Sequence, residues 1–286
     1  MPGLGGGLVH QVPQRVVDQQ EREGVVPGTL PPPLSTVYIH QHATAYRGLD
    51  AVPDDEARTP ADALLDRLDD VIVFGGPGFG KSSLLRCWII TVARRWTDEH
   101  FYHSVPVLVR ASDLVGDRPF VSLLHDAVSR ELSGAGLVRP MREDLFAAPP
   151  APGVHWLLLV DGLDEVMSPE GWQRVLGKLA SIREQDAYAH QFRFVVTTRP
   201  TLDVRDAPES QFRYCSLLPF DPQQLPGFAR AWFTALRLPE PEARTTSLLE
   251  HVRIPSVRNL ARVPLMATML CQLHADSDEE ALPRGR

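Results

Sequence analysis

The chain has 286 residues, of which 43% are hydrophobic and 23% are charged, a composition typical of globular proteins. Its net charge of −7 excludes a global positive field that would attract nucleic acid or an anionic membrane. No apolar stretch is long enough to cross a bilayer. The three cysteines lie far apart, which predicts reduced thiols, and the N-terminus carries no secretory pattern. We therefore expect a cytoplasmic protein.

The first part of the chain gives weak signals. Residues 1–35 are rich in Gly, Pro and Gln, and we expect a flexible arm with a short helix around residues 12–22. Residues 36–69 form a short lead-in segment. In this segment the pattern predicts a strand near residues 37–39 and a helix from about residue 60 to residue 68.

Residues 70–220 alternate between apolar, strand-like runs and amphipathic helical patterns. Four of the five runs are almost continuously apolar, as expected for strands that are covered on both faces. The alternation predicts an α/β domain of three layers with a parallel sheet. The runs lie at residues 71–74, 105–110, 154–160, 192–198 and 212–217, separated by helical patterns at residues 82–96, 120–132 and 169–183.

The strand pattern stops near residue 221. Helical patterns then follow at residues 221–236, 241–252 and 263–275. They predict a small helical subdomain of three helices over residues 221–275, followed by a solvated tail over residues 276–286.

Residues 75–82 read GGPGFGKS and match the pattern G-x-x-x-x-G-K-[ST] between a strand and a helix. Glycines let successive backbone N–H groups face phosphate oxygens, and the helix N-terminus adds to the positive field. In this pattern Lys81 contacts the β- and γ-phosphates, and Ser82 ligates Mg²⁺. Only two lysines occur among 29 basic residues, which favours a phosphate site over a glycine-rich turn that binds nothing. The predicted nucleotide-binding residues here are Gly75, Gly76, Pro77, Gly78, Phe79, Gly80, Lys81, Ser82 and Ser83.

An acidic cluster follows a later strand, in the stretch WLLLVDGLDEV. Asp161 ends this strand, at the edge where open parallel sheets bind ligands. Beside a phosphate-binding loop it is the expected second anchor for Mg²⁺. Asp164 and Glu165 follow within one turn, and either could orient and polarise the water that attacks the γ-phosphate, with Glu165 as first choice. The alternative is a polar turn that only caps the next helix.

The stretch FRFVVTTRP ends the next strand. Threonines at such a strand end, among them Thr198, can hydrogen-bond the γ-phosphate, and Arg199 can add positive charge there. The alternative is an ordinary exposed arginine. Its place on the strand after the acidic one favours a γ-phosphate sensor.

The stretches GGPGFGKSSLL, LLLVDGLDEV and VVTTRP together resemble the NACHT-type NTPases of the STAND class, which are regulated signal-transduction ATPases. RNLARVPLMATMLC is similar to the helical segment of that family whose proline lies near the base, which implies that Pro264 contacts adenine. The resemblance covers residues 70–273. In that family a winged-helix domain and sensor repeats follow, so we expect either a truncated member or a chain completed by partners. The composition suggests a bacterial source.

The resemblance implies a switch that binds ATP with Mg²⁺, hydrolyses it slowly to ADP, and serves defence or regulation. It would act through a protein partner or through self-association. Two alternatives remain at this point. One is an oligomeric AAA+-type motor or loader with fast hydrolysis, and the other is a scaffold that binds nucleotide without hydrolysing it.

Overall fold

The computed structural model of the chain describes residues 32–46, 58–66, 69–98, 103–136, 140–185, 188, 190–200 and 212–276. The predicted helix at residues 12–22, most of the predicted arm and residues 277–286 of the predicted tail lie outside these ranges.

Seven strands of the described ranges form one sheet, in the order β2-β1-β7-β3-β6-β5-β4. The five strands from β3 to β7 pair in parallel, whereas β1 pairs antiparallel with β2 and with β7. Each parallel strand agrees with its predicted apolar run to within one residue at either end. The strands are β1 (His42–Ala45), β2 (Thr59–Pro60), β3 (Asp70–Phe74), β4 (Ser104–Arg110), β5 (His155–Asp161), β6 (Phe192–Thr198) and β7 (Phe212–Leu217).

Helices cover both faces of the parallel strands, so the predicted three-layer α/β architecture is confirmed. Alternate residues of one strand enter different cores, as the two-residue period requires. Val71 and Val73 of β3 pack with α2, whereas Ile72 and Phe74 pack in the core that contains α3 and α4. The helices are α1 (Leu34–Val37), α2 (Lys81–Asp98), α3 (Phe120–Gly134), α4 (Pro169–Glu184), α5 (Gln224–Ala235), α6 (Pro241–His251), α7 (Pro255–Ala261) and α8 (Pro264–Asp276).

The lead-in segment differs from its prediction. The strand predicted near residues 37–39 is wrong, because residue 37 ends α1 and the strand lies further along as β1. The apolar character of Val37 instead reflects its packing in the core of the helical subdomain. The helix predicted over residues 60–68 is a 3-10 turn at Ala61–Leu64 that follows β2. Since β1 and β2 extend the sheet, the lead-in is part of the α/β core.

The helical subdomain has four described helices, α5 to α8, where the sequence predicted three. The missed helix, α7, buries only Ala261, so it lacks the apolar period that reveals an amphipathic helix. A separate core of this subdomain includes Phe228, Trp232 and Leu248. None of the helices in the described part of the chain combines the length and the apolar character that crossing a membrane requires.

Candidate functional site

Three predicted motifs meet at the carboxyl edge of the parallel sheet. Strand β6 lies between β3 and β5, with Phe74 paired to Thr198 and Val160 paired to Val196. The segments that follow these three strands therefore leave the sheet side by side. This edge is where open α/β sheets bind their ligands.

Backbone hydrogen bonds, one within the loop and one to the neighbouring strand, hold the glycine-rich loop in shape. Phe79 donates its N–H to the Gly76 carbonyl at 3.2 Å, and Gly75 donates to the Thr198 carbonyl of the neighbouring strand at 3.1 Å. Gly80 has a φ of +80°, a conformation that residues with a Cβ rarely adopt. Helix α2 begins at the next residue, so its first N–H groups face the loop. The loop therefore has the form that binds phosphate.

Lys81 lies across this loop. Its Nζ donates to the carbonyl oxygens of Gly75 at 2.8 Å and of Gly76 at 3.3 Å. Burial lowers the pKa of Lys81, and the nearby carboxylate of Asp164 opposes that shift. An ammonium group has three donors, so one of them remains for a phosphate oxygen.

Asp161 is oriented by a threonine on the adjacent strand. Thr197 donates its hydroxyl to Asp161 Oδ1 at 2.6 Å and accepts the Gly162 N–H at 3.1 Å. The other carboxylate oxygen, Oδ2, has no hydrogen-bond partner among the described residues. Ser82 lines the same cavity as Asp161, so a hydroxyl and a carboxylate oxygen are both present for Mg²⁺, which prefers oxygen ligands. The residues present fit a Mg²⁺–nucleotide.

Asp164 and Glu165 have different surroundings. Asp164 Oδ2 lies 2.8 Å from Arg199 Nε, and its Oδ1 accepts the Arg199 N–H at 3.1 Å. The Asp164 side chain is only 10% exposed, compared with 47% for Arg199. The Glu165 carboxylate is exposed and has no hydrogen-bond or ion-pair partner within the described ranges. Asp164 therefore holds Arg199, whereas Glu165 retains both oxygens for another ligand.

A turn at Gly162 sets this difference. Its φ is +71°, and a Cβ there would lie 2.9 Å from Glu165 Cδ. Glycine therefore lets the Glu165 side chain fold back over the end of β5.

A cavity of about 500 Å³ connects these groups. It brings together most of the residues that the sequence predicted, namely Pro77, Gly78, Phe79, Gly80, Lys81, Ser82, Ser83, Asp161, Asp164, Glu165, Arg199 and Pro264. Gly75, Gly76 and Thr198 are not among the lining residues. The Thr198 side chain is buried, with its hydroxyl 3.4 Å from the Arg199 carbonyl.

The other wall of the cavity is mainly apolar, and sequence reasoning missed it. It comes from the lead-in segment and from the helical subdomain, at residues Pro32, Leu34, Val37, Tyr38, Ile39, Gln41, Phe220, Phe228, Trp232, Leu265 and Thr268. Phe228 and Trp232 of this wall lie four residues apart on α5, a spacing that equally indicates ordinary core packing. A cavity with a charged end and an apolar end suits a ligand with phosphates at one end and a ring at the other.

A glycine-rich loop between β3 and α2, together with the acidic end of β5 on the far side of β6, defines the chain as a P-loop nucleotide-binding protein. The model of the NACHT domain family matches residues 69–235, which is more than half of the chain. The chain belongs to this family of P-loop NTPases. No curated protein matches it.

Solved structures of origin-recognition proteins are similar to the chain. The Aeropyrum pernix ORC2 protein, in ADPNP–ADP complexes, is 13% identical with a TM-score of 0.42, over 74% of this chain and 64% of that one. The A. pernix ORC1 protein in complex with DNA is 17% identical with a TM-score of 0.44, over 78% and 59%. Drosophila ORC bound to DNA is 14% identical with a TM-score of 0.37, over 96% and 68%. The chain thus spans less than two thirds of the first two proteins.

Proposed function

We propose that the chain is a switch that binds ATP with Mg²⁺, hydrolyses it slowly, and changes the packing of its helical subdomain with the nucleotide. One contact carries the proposal. Leu265, at the start of α8, donates its N–H to the Gly78 carbonyl of the phosphate loop at 3.1 Å. The helical subdomain is therefore bonded directly to the loop that would hold the phosphates.

Each end of the cavity has a role in this proposal. The loop N–H groups and Lys81 bind the phosphates, with the Gly75 and Gly76 carbonyls holding the lysine in place. Pro264 and the apolar wall contact the adenine ring. Ser82 and Asp161 hold Mg²⁺, which when bound neutralises phosphate charge.

Hydrolysis assigns different tasks to the two neighbouring acids. Glu165 accepts a proton from the water that attacks the γ-phosphorus, the bond from that phosphorus to the bridging oxygen breaks, and ADP leaves. Arg199 contacts the γ-phosphate, and Asp164 positions it. Because ADP lacks the γ-phosphate, the two nucleotides differ in their contacts with Arg199, and this difference is what shifts the conformational equilibrium.

Isothermal titration with Mg-ATP, Mg-ADP and Mg-GTP tests the proposal. Lys81→Met should weaken ATP binding about 10- to 100-fold, because a hydrogen bond to a charged group contributes about 1.5–3 kcal/mol. Lys178→Met is the matched control, since Lys178 Nζ also donates to two carbonyls, those of Leu114 and Gly116, away from the cavity. The control should bind like the wild type. No binding of any nucleotide by the wild type would overturn the proposal.

Turnover at several protein concentrations separates the proposal from the two alternatives. A switch should turn over slowly and at a rate per chain that does not depend on concentration. An oligomeric motor should accelerate steeply as the concentration rises, and a scaffold should show no turnover.

A further inference from the structure

Gln41 links the lead-in segment to the phosphate loop. It lies just before β1 and is 3% exposed. Its Nε2 donates to the Phe79 carbonyl of the loop at 2.9 Å, and lies 3.4 Å from the Leu218 carbonyl beyond β7. One buried amide therefore connects the lead-in segment to the phosphate loop and to the segment that follows β7.

The contact with Phe79 fixes the peptide that joins it to Gly80. In a trans peptide the carbonyl and the following N–H point in opposite directions. Because Gln41 holds the Phe79 carbonyl on its own side, the Gly80 N–H is directed to the opposite side. That N–H has no acceptor in the part of the chain that the structure describes. The other end of the amide also lies against Gly80, since a Cβ there would be 3.2 Å from Gln41 Oε1.

We infer that Gln41 is a positioning residue that aims the Gly80 N–H at a phosphate of the bound nucleotide. The inference rests on the proposed nucleotide binding. Gln41 also belongs to the segment that carries Tyr38 and Ile39 of the apolar wall. One short stretch of the lead-in segment therefore contacts the phosphate loop and also forms part of the apolar wall of the cavity.

Replacement of the amide by an isosteric thioether tests the inference. Gln41→Met removes the donor and should weaken Mg-ATP and Mg-ADP about 3- to 10-fold, since one neutral hydrogen bond contributes about 0.5–1.5 kcal/mol. Adenosine, which has no phosphate, should bind as it does to the wild type. Gln41→Glu keeps the size of the side chain but places a carboxylate against the Phe79 carbonyl, so it should show the same selective loss.

Gln191 provides the matched control. It is 4% exposed, and its Nε2 donates to the Phe146 carbonyl at 2.7 Å, at the start of β6 and away from the cavity. Gln191→Met should lower the melting temperature about as much as Gln41→Met and leave ATP affinity unchanged.

Two results would overturn the inference while wild-type binding stands. Unchanged ATP affinity in folded Gln41→Met and Gln41→Glu would show that the amide does not aim the loop. Equal losses for ATP and adenosine would show that Gln41 acts on the whole cavity and not on the phosphates. A wild type that binds no nucleotide would instead overturn the proposed function.

Discussion

The carboxyl end and the amino end of the parallel sheet both carry charged residues, but these residues differ in how exposed they are to solvent. At the carboxyl end the charged groups lie partly exposed around a cavity. At the amino end, two charged residues, Asp70 and Arg193, are buried in the core. Arg193 is 3% exposed and donates to the carbonyls of Leu64, Leu65 and Asp69. Asp70 accepts the Phe194 N–H at 2.9 Å and lies at the same distance from Arg183 Nε.

The difference is that, at the carboxyl end, polar groups with no partner among the described residues line a cavity. At the amino end, the guanidinium of Arg193 donates its hydrogen bonds to backbone carbonyls in the core. At the carboxyl end, Lys81 retains a donor and Asp161 and Glu165 retain acceptors. A buried charge is thus weak evidence for a functional site, because structural ion pairs are also buried. Hydrogen-bond donors and acceptors that have no protein partner and face a cavity are stronger evidence.

The largest expected effect is the loss of ATP hydrolysis when an acidic residue at the carboxyl end is replaced. Glu165→Gln removes the proposed base, and loss of general base catalysis lowers rates by about 10²- to 10⁴-fold. ATP should still bind, because the carboxylate contacts no residue of the described loop. Single-turnover hydrolysis of labelled ATP measures the rate. Glu170→Gln is the control, since Glu170 is exposed in the first turn of α4, and its turnover should equal that of the wild type. An unchanged rate in Glu165→Gln would assign the water to another residue.

The next largest effect compares the two ends of the sheet by substituting one arginine at each and measuring stability and ATP affinity. Arg193→Met leaves three carbonyls without their donor and removes a positive charge that interacts with the buried Asp70. It should lower the free energy of unfolding by about 3–5 kcal/mol, as expected when one partner of a buried charge pair is lost. Its ATP affinity, measured on the folded fraction, should not change. Arg199→Met should do the reverse, with weaker ATP binding and little loss of stability, because Arg199 is 47% exposed. Urea unfolding and titration calorimetry on both variants check this pair.

The smallest effect concerns pH and sharpens the account of the amino end. Burial raises the pKa of Asp70 to about 6 and lowers the pKa of His155 to about 4. Between pH 4 and 6 the folded state therefore holds more protons than the unfolded state at Asp70, and fewer at His155. Stability from Asp70 falls as the pH rises through this window, whereas stability from His155 is lost as the pH falls through it.

Single substitutions should expose these opposed slopes. Asp70→Asn should make the slope of unfolding free energy against pH more positive, and His155→Gln should make it less positive. Each change should reach at most about 1.4 kcal/mol per pH unit, the value for one proton. Urea unfolding at pH 4 to 7 measures the slopes, and parallel curves for both variants would contradict the assignment.

The sequence predicted the parts of the fold and the site whose signals are local. The five parallel strands are short apolar runs, and the loop at residues 75–82 carries its own pattern. The distinction between Asp164 and Glu165 could not be predicted, because it depends on where Arg199 lies, 35 residues after Asp164. The apolar wall and Gln41 were missed because they reach the loop from other parts of the chain. In the lead-in, Val37 was assigned to a strand because apolar character alone does not distinguish a strand from a short buried helix.

Hydrogen–deuterium exchange without nucleotide, with Mg-ADP and with Mg-ATP tests the central claim most directly. The account predicts protection of residues 75–83 and 161–165 with either nucleotide, and a difference between ATP and ADP at residues 264–268, where α8 is bonded to the loop. Residues 192–194, at the amino end of β6, should be unchanged. Protection that omits residues 75–83, or identical exchange of residues 264–268 with ATP and ADP, would contradict it.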